Sequence, residues 1–193
     1  VADEEGMDRL GVDPQSDLGV HLSECGFEPY ERDDGLWGND AFPPPDLAYN
    51  RYLKKQGYDS ENGWHDFANS AADTDGQVLS GWSMRHAGLP ARVAEEHSET
   101  AYMTDRALAF IDAAGDQRWC LHLSYIKPHW PYIAPAPYHK MFSQNQFNQV
   151  QRNEKQKENM NPVYKAFVET RVSKTFSKDE VRNTVMSGYM GLI

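Results

Sequence analysis

Apolar and polar positions change period along the chain, and the clearest pattern lies between Ser98 and His139. Ala101, Thr104, Ala107, Leu108, Ile111 and Ala114 recur three or four apart. That spacing marks one face of an amphipathic helix and predicts a helix from about Ser98 to Ala114. Ser98 or Glu99 opens it, and Gly115 stands where a left-handed cap is expected. After the turn GDQR comes a nearly continuous apolar run from Trp119 to Ile126, which predicts a strand buried on both faces. Inside that strand Cys120 reads as a small buried hydrophobe and His122 as a satisfied core histidine. The run breaks at Lys127-Pro128-His129-Trp130-Pro131. Proline cannot donate to a sheet ladder, and it restricts the residue before it to extended conformations. His129 is therefore expected on a stiff loop past the carboxyl end of a buried strand, the edge at which open α/β sheets bind ligands. Helix, tight turn and buried strand make half of a βαβ unit and predict an α/β class.

Elsewhere the pattern is weaker. LGVHLSECGFE predicts a short helix ending at Gly26, Asp33-Asp34-Gly35 a turn, and Phe42-Pro43-Pro44-Pro45 an extended spacer. Asp46 is placed as an N-cap for a helix through Leu47, Tyr49, Asn50, Tyr52 and Leu53 that ends at Gly57, with basic residues in its last turn. Residues 62–90 sustain no period and read as a long loop with short elements, anchored by Trp64, Phe67 and Trp82. After His139 the Gln-, Asn- and Lys-rich stretch reads as a solvated, partly disordered excursion. A helix starting at Pro162 follows. Ser177 and Glu180 have the spacing of a capping box, and the helix they start carries Val181, Val185, Gly188, Tyr189 and Leu192 on one face. That apolar face is still running at Ile193, and the chain begins with Val; both predict an internal piece of a longer protein.

Composition narrows the function classes. The 193 residues include 39% hydrophobic positions, enough for one sizeable domain. No apolar run approaches transmembrane length, and the acidic N-terminus has no signal-peptide pattern. The net charge is -10. Thirteen Asp or Glu against two Arg fall in residues 1–46, which disfavours nucleic acid as a partner. Cys25 and Cys120 belong to no CxxC or zinc-type spacing.

With these residues in view, the chain resembles the sulfatase and phosphonate monoester hydrolase branch of the alkaline phosphatase superfamily. The resemblance rests on WCLHLSYIKPHWPY (Trp119 to Tyr132), on HSETAYMTDRALAFI before it (His97 to Ile111), and on the terminal VRNTVMSGYMGLI. It covers most of residues 27 to 193. It implies part of an alkaline-phosphatase-like α/β sandwich with a mainly parallel central sheet and flanking helices, incomplete at both ends. The organisation expected is a loop-rich region over 1–96, a helix–strand–PHWP core over 97–142, and a polar excursion with a terminal helix over 143–193. The activity implied is metal-dependent hydrolysis of sulfate esters, or of related phosphonate or phosphate esters, as small-molecule substrates. In such enzymes a formylglycine made from cysteine attacks, and a divalent ion (calcium, magnesium or manganese) activates it. Carried over, the histidine of the Pro-His-x-Pro stretch is His129, a catalytic contact to the ester or leaving oxygen, and Lys127 is a substrate-binding cation.

The departures matter equally. Cys25 is followed by Gly-Phe-Glu-Pro, and Cys120 has no Arg at the required spacing, so neither is the modified nucleophile. The acidic metal pairs are missing too. The nucleophile and metal ligands are expected outside this chain, which by itself should not turn over. Among the other histidines, His139 with Tyr138 reads as packing at a cleft rim. His65, His86 and His97 lie on or near loops without ligand spacing, and Glu95 to Glu99 read as an acidic helix start. The alternatives are a catalytically inactive sulfatase-like binding domain and, third, a secreted acidic metal-binding protein using the carboxylates before Asp46. The compartment is left open.

Overall fold

The computed structural model describes residues 7, 9–14, 16–23, 25–31, 33, 47–143, 146–148, 150, 153 and 160–193. The chain forms two compact units, Val1–Arg32 and Asp33–Ile193. The first holds helix α1 (Asp17–Ser23), which stops short of the expected Gly26 (φ +86°); Cys25, with φ +55°, takes the left-handed position before it. Gly19 packs against backbone there, since a methyl on it would lie 2.2 Å from the Asp13 carbonyl oxygen.

The second unit carries helix α2 (Ala48–Lys55) and a π-turn over Trp64–Ala68. A two-stranded antiparallel sheet follows, β1 (Ser70–Ala72) paired with β2 (Val78–Ser80). Then come α3 (Glu99–Ala114), α4 (Pro162–Glu169), α5 (Arg171–Phe176) and α6 (Asp179–Leu192). Helices and strands both contribute to the unit. Among the described residues the sheet consists of these two short antiparallel strands. The long loop expected over 62–90 does contain short elements, but its hairpin was not foreseen: three-residue strands are too short to show a period.

The main core gathers Tyr49, Leu53, Trp64, Ala71, Tyr102 and Ile133. Tyr49 and Leu53 come from one face of α2, which ends at Gly57 (φ +93°) with Lys54 and Lys55 in its last turn. Tyr49 donates its hydroxyl to the His97 carbonyl at 2.8 Å. Burial, then the charges of Glu99 and Asp33, push its pKa far upward and keep it a neutral donor. A second, smaller cluster joins Ala87 to Val181 and Val185 of α6.

Three expectations are corrected. First, Trp119 to Ile126 form no ladder and are not buried on both faces. Leu121, Leu123 and Ile126 are half-buried while Cys120, His122 and Ser124 are exposed, and Trp119 is 47% exposed. One face lies on the core, and the described residues supply no strand to pair with it; Cys120 is thus not a core hydrophobe and His122 not a core histidine. Second, α3 does start at Ser98, whose hydroxyl accepts from the Ala101 N–H at 3.3 Å, and stops at Gly115, with φ +51°. Its buried face, however, is Glu99, Tyr102, Met103 and Ala107; Leu108 is 54% exposed. The aromatic Tyr102, packed on Tyr49 and Tyr52, decided the rotation of the helix. Third, the capping box does not form. Lys178 is the N-cap of α6 without a side-chain bond, and the Ser177 hydroxyl donates to the Lys174 carbonyl. The expected face of α6 is met at Val181, Val185 and Gly188, which are buried. The Asp46 cap, the turn at Asp34-Gly35, the Phe42–Pro45 spacer and most of the polar excursion fall outside the described residues.

Candidate active site

Lys127 to Ala134 is the stretch that the rest of the second unit grips. The turn at its start is closed by the His129 N–H donating to the Ile126 carbonyl at 2.8 Å. Past it, Pro131, Ile133 and Ala134 are fully buried. The Ala134 carbonyl accepts from the Ala91 N–H at 2.8 Å, and Arg92 in turn donates to Ser70 at 3.0 Å. The far side is closed by α6. A methyl on Gly188 would lie 2.5 Å from the carbonyl oxygens of Ala87 and Tyr132, and one on Gly191 would lie 2.5 Å from that of Tyr138. Only glycine permits this backbone approach, so the small residues of the terminal SGYMGLI seat the segment after the loop.

His129 is exposed. Its Nδ1 lies 2.6 Å from the Trp130 carbonyl oxygen. A carbonyl only accepts, so Nδ1 carries the proton; Nε2 is then an acceptor in the neutral ring and a donor only in the imidazolium. Beside it the Trp130 ring stands edge-on to Trp82 at 5.1 Å, and Trp82 lies 6.3 Å from Trp64.

Lys127 is placed very differently. Its side chain is 5% exposed and faces Glu99, 4% exposed, across 3.4 Å. The same ammonium donates to the Asn69 side-chain oxygen at 2.6 Å and to the Pro131 carbonyl at 3.1 Å. The other Glu99 oxygen accepts from the Trp64 indole N–H. Asn69, fully buried, donates its amide to the Trp64 carbonyl at 3.1 Å. A cavity of about 380 Å³ is lined by Glu99, Lys127, Ser98, Thr104, Asp105 and Tyr138 among others. His129 does not line it, so the two residues singled out in the sequence share a loop but not a pocket.

Three other histidines take local partners. His97 pairs with the Tyr58 hydroxyl at 3.1 Å, His65 accepts from the Trp82 indole at 3.3 Å, and His86 meets the Ser80 carbonyl at 2.8 Å. Tyr138 donates to Glu95 at 2.8 Å at the cavity wall. Among the described residues no three His, Cys, Asp or Glu side chains group so as to hold a metal ion. The buried carboxylate nearest the loop, Glu99, is committed to Trp64 and Lys127. These residues do not fit the divalent ion that the resemblance implies.

The family model described as Sulfatase matches residues 30–186. The chain belongs to the sulfatase family. Within 53 residues it is 40% identical to the multifunctional alkaline phosphatase superfamily protein PehA of Trinickia caryophylli, a match over 28% of this chain and 10% of that protein. Its structure is similar to that of the phosphonate monoester hydrolase SpPMH from Silicibacter pomeroyi. The TM-score is 0.58 and the identity 28%, over 75% of this chain and 29% of that one. The chain therefore spans less than a third of the length of either relative.

The sequence missed the buried cluster of Trp64, Asn69, Glu99 and Lys127. A signal for Glu99 was present: it stands three and four residues before Tyr102 and Met103, so it shares their face of α3. Asn69 left no such trace, because its burial depends on the hairpin that follows it.

Proposed function

We propose that this chain is part of a metal-dependent hydrolase of small-molecule sulfate esters, or of related phosphonate or phosphate esters. In it His129 contacts the ester or leaving oxygen as a catalytic residue. The observation that carries the reading is the state of His129: an exposed ring on a loop with buried anchors, its Nδ1 engaged by Trp130 and its Nε2 left for substrate. In the imidazolium form, with both ring nitrogens protonated, Nε2 is a donor to developing oxygen charge, and such a donor is an effective stabiliser of acyl- and phosphoryl-type transition states. The family membership and the likeness to a phosphonate monoester hydrolase support the class of reaction. The nucleophile and metal ligands belong, in this reading, to parts of a longer protein outside these residues. Those parts also supply the mainly parallel sheet, whose strands cover the open face of Trp119 to Ile126.

The test is His129→Ala in the longer protein, assayed on a 4-nitrophenyl sulfate and a 4-nitrophenyl phosphonate monoester. Loss of a positioned proton donor typically costs ~10²–10⁴-fold, and a drop of that size in kcat/KM is expected on the native substrate class. A rate equal to that of the unmodified enzyme on both esters removes His129 from the chemistry.

A further inference from the structure

We propose that Trp64, Asn69 and Glu99 are positioning residues for His129, acting through Lys127, which serves as the clamp of the loop and not as a contact to substrate. This rests on the reading of His129 given above. An ammonium has three protons, and Lys127 meets three acceptors within the chain: Asn69 at 2.6 Å, the Pro131 carbonyl at 3.1 Å and Glu99 at 3.4 Å. A substrate anion would have to displace one of them.

The Pro131 bond is the informative one. It joins the side chain at one end of Lys127–Pro131 to the backbone at the other, so the segment that carries His129 is tied across its own base. Glu99 and Asn69 then fix the ammonium itself. Each is held in turn by Trp64, through the indole N–H to Glu99 and the main-chain carbonyl to Asn69. The cluster thus draws on the π-turn, the start of β1, the first turn of α3 and the loop. Every link is buried: Asn69 is 0% and Glu99 4% exposed. A buried ion pair of this kind contributes little net stability compared with an apolar replacement, whereas it fixes a geometry that apolar packing would leave free to slide.

The experiment uses the longer protein and four variants, Trp64→Phe, Asn69→Ala, Glu99→Gln and Lys127→Met, each alone and combined with His129→Ala. Small misplacements of a reacting group cost up to ~10²-fold. Each single variant is therefore expected to lower kcat by ~10–100-fold, with KM nearly unchanged. In the His129→Ala background the same variants should produce no further loss of kcat, a result that a merely structural role would not give. Trp64→Phe removes the indole N–H and keeps a smaller aromatic ring without touching either charge, so it remains informative if Lys127→Met fails to fold. Losses that persist in the His129→Ala background, with KM raised by Lys127→Met, would make Lys127 a direct substrate ligand and overturn the proposal. Unchanged kcat for Trp64→Phe and Glu99→Gln would overturn it as well. If His129→Ala alone keeps the full rate, the functional reading falls and this proposal with it, and that outcome is distinct from the other two.

Discussion

Residues 119–126 and 127–134 follow one another along the chain, yet different physics holds them. The first stretch is apolar and rests on the core by one face only, through Leu121 and Leu123, with Trp119 47% and Tyr125 41% exposed. The second brings a lysine, two prolines and a histidine, and reaches deeper. Ile133 is 1% and Ala134 0% exposed, and the Lys127 side chain is 5% exposed. The difference lies in partners. Apolar surface is buried only where something covers it, and a strand also needs ladder partners for its backbone groups. A lysine can be buried when three acceptors, one of them a carboxylate, are waiting.

The largest test of this contrast is Lys127→Met. It strands Glu99 in the interior without its cation, and one-sided removal of a buried pair typically costs ~3–5 kcal/mol. Equilibrium urea denaturation should show it, and Lys127→Met/Glu99→Gln should recover part of the loss. A cost under ~1 kcal/mol would mean the pair is more hydrated than its burial indicates. Next comes Gly188→Ala, whose methyl would lie 2.5 Å from the Ala87 and Tyr132 carbonyl oxygens. Overpacking of this kind costs ~1–3 kcal/mol, and the same denaturation series measures it.

A third test uses pH. His139 is 6% exposed, and neither ring nitrogen has a hydrogen-bond partner. Burial first, then Lys140, holds its imidazole below the ordinary value of 6.5, with the Pro135 carbonyl opposing both. The unfolded chain therefore takes up the proton at higher pH than the folded one. Stability should be fully present above 6.5, fall as pH drops from there toward the folded value, and then level off. His139→Gln should flatten that part of a melting-midpoint profile; an unchanged profile would locate the acid sensitivity elsewhere.

The smallest effect belongs to the open face. Leu108→Ser, at a side chain 54% exposed, should change the stability of the 193-residue chain by no more than ~0.5 kcal/mol. Cys120, exposed here, should react readily with a thiol reagent in this chain and slowly in a longer protein that covers the face. Equal reactivity in both would leave that face open in the longer protein as well.

Some of this was legible in residue order alone. Ser98 starts its helix, and Gly57 and Gly115 end theirs, as local rules require, because caps and positive-φ positions depend on a few neighbouring residues. Val181, Val185 and Gly188 were found by period. Lys127-Pro-His-Trp-Pro was picked out because proline acts on its own neighbours. Other features needed distant partners. Leu108 and Ile111 fit a helical face as well as Tyr102 and Met103 do, and only packing against Tyr49 and Tyr52 chose between them. Ser177 and Glu180 have a capping-box spacing, but Ser177 was used by the preceding turn.

The sequence by itself determined where α3 starts, where α2 and α3 stop, the loop that presents His129, and the family to which the chain belongs. All of these rest on short-range chemistry or on a continuous motif. Tertiary structure decided which face of Trp119 to Ile126 is covered and that Lys127 turns inward to Glu99, Asn69 and Pro131. Those outcomes depend on groups dozens of residues apart meeting in one place, and no local pattern encodes the distance between Asn69 and Lys127.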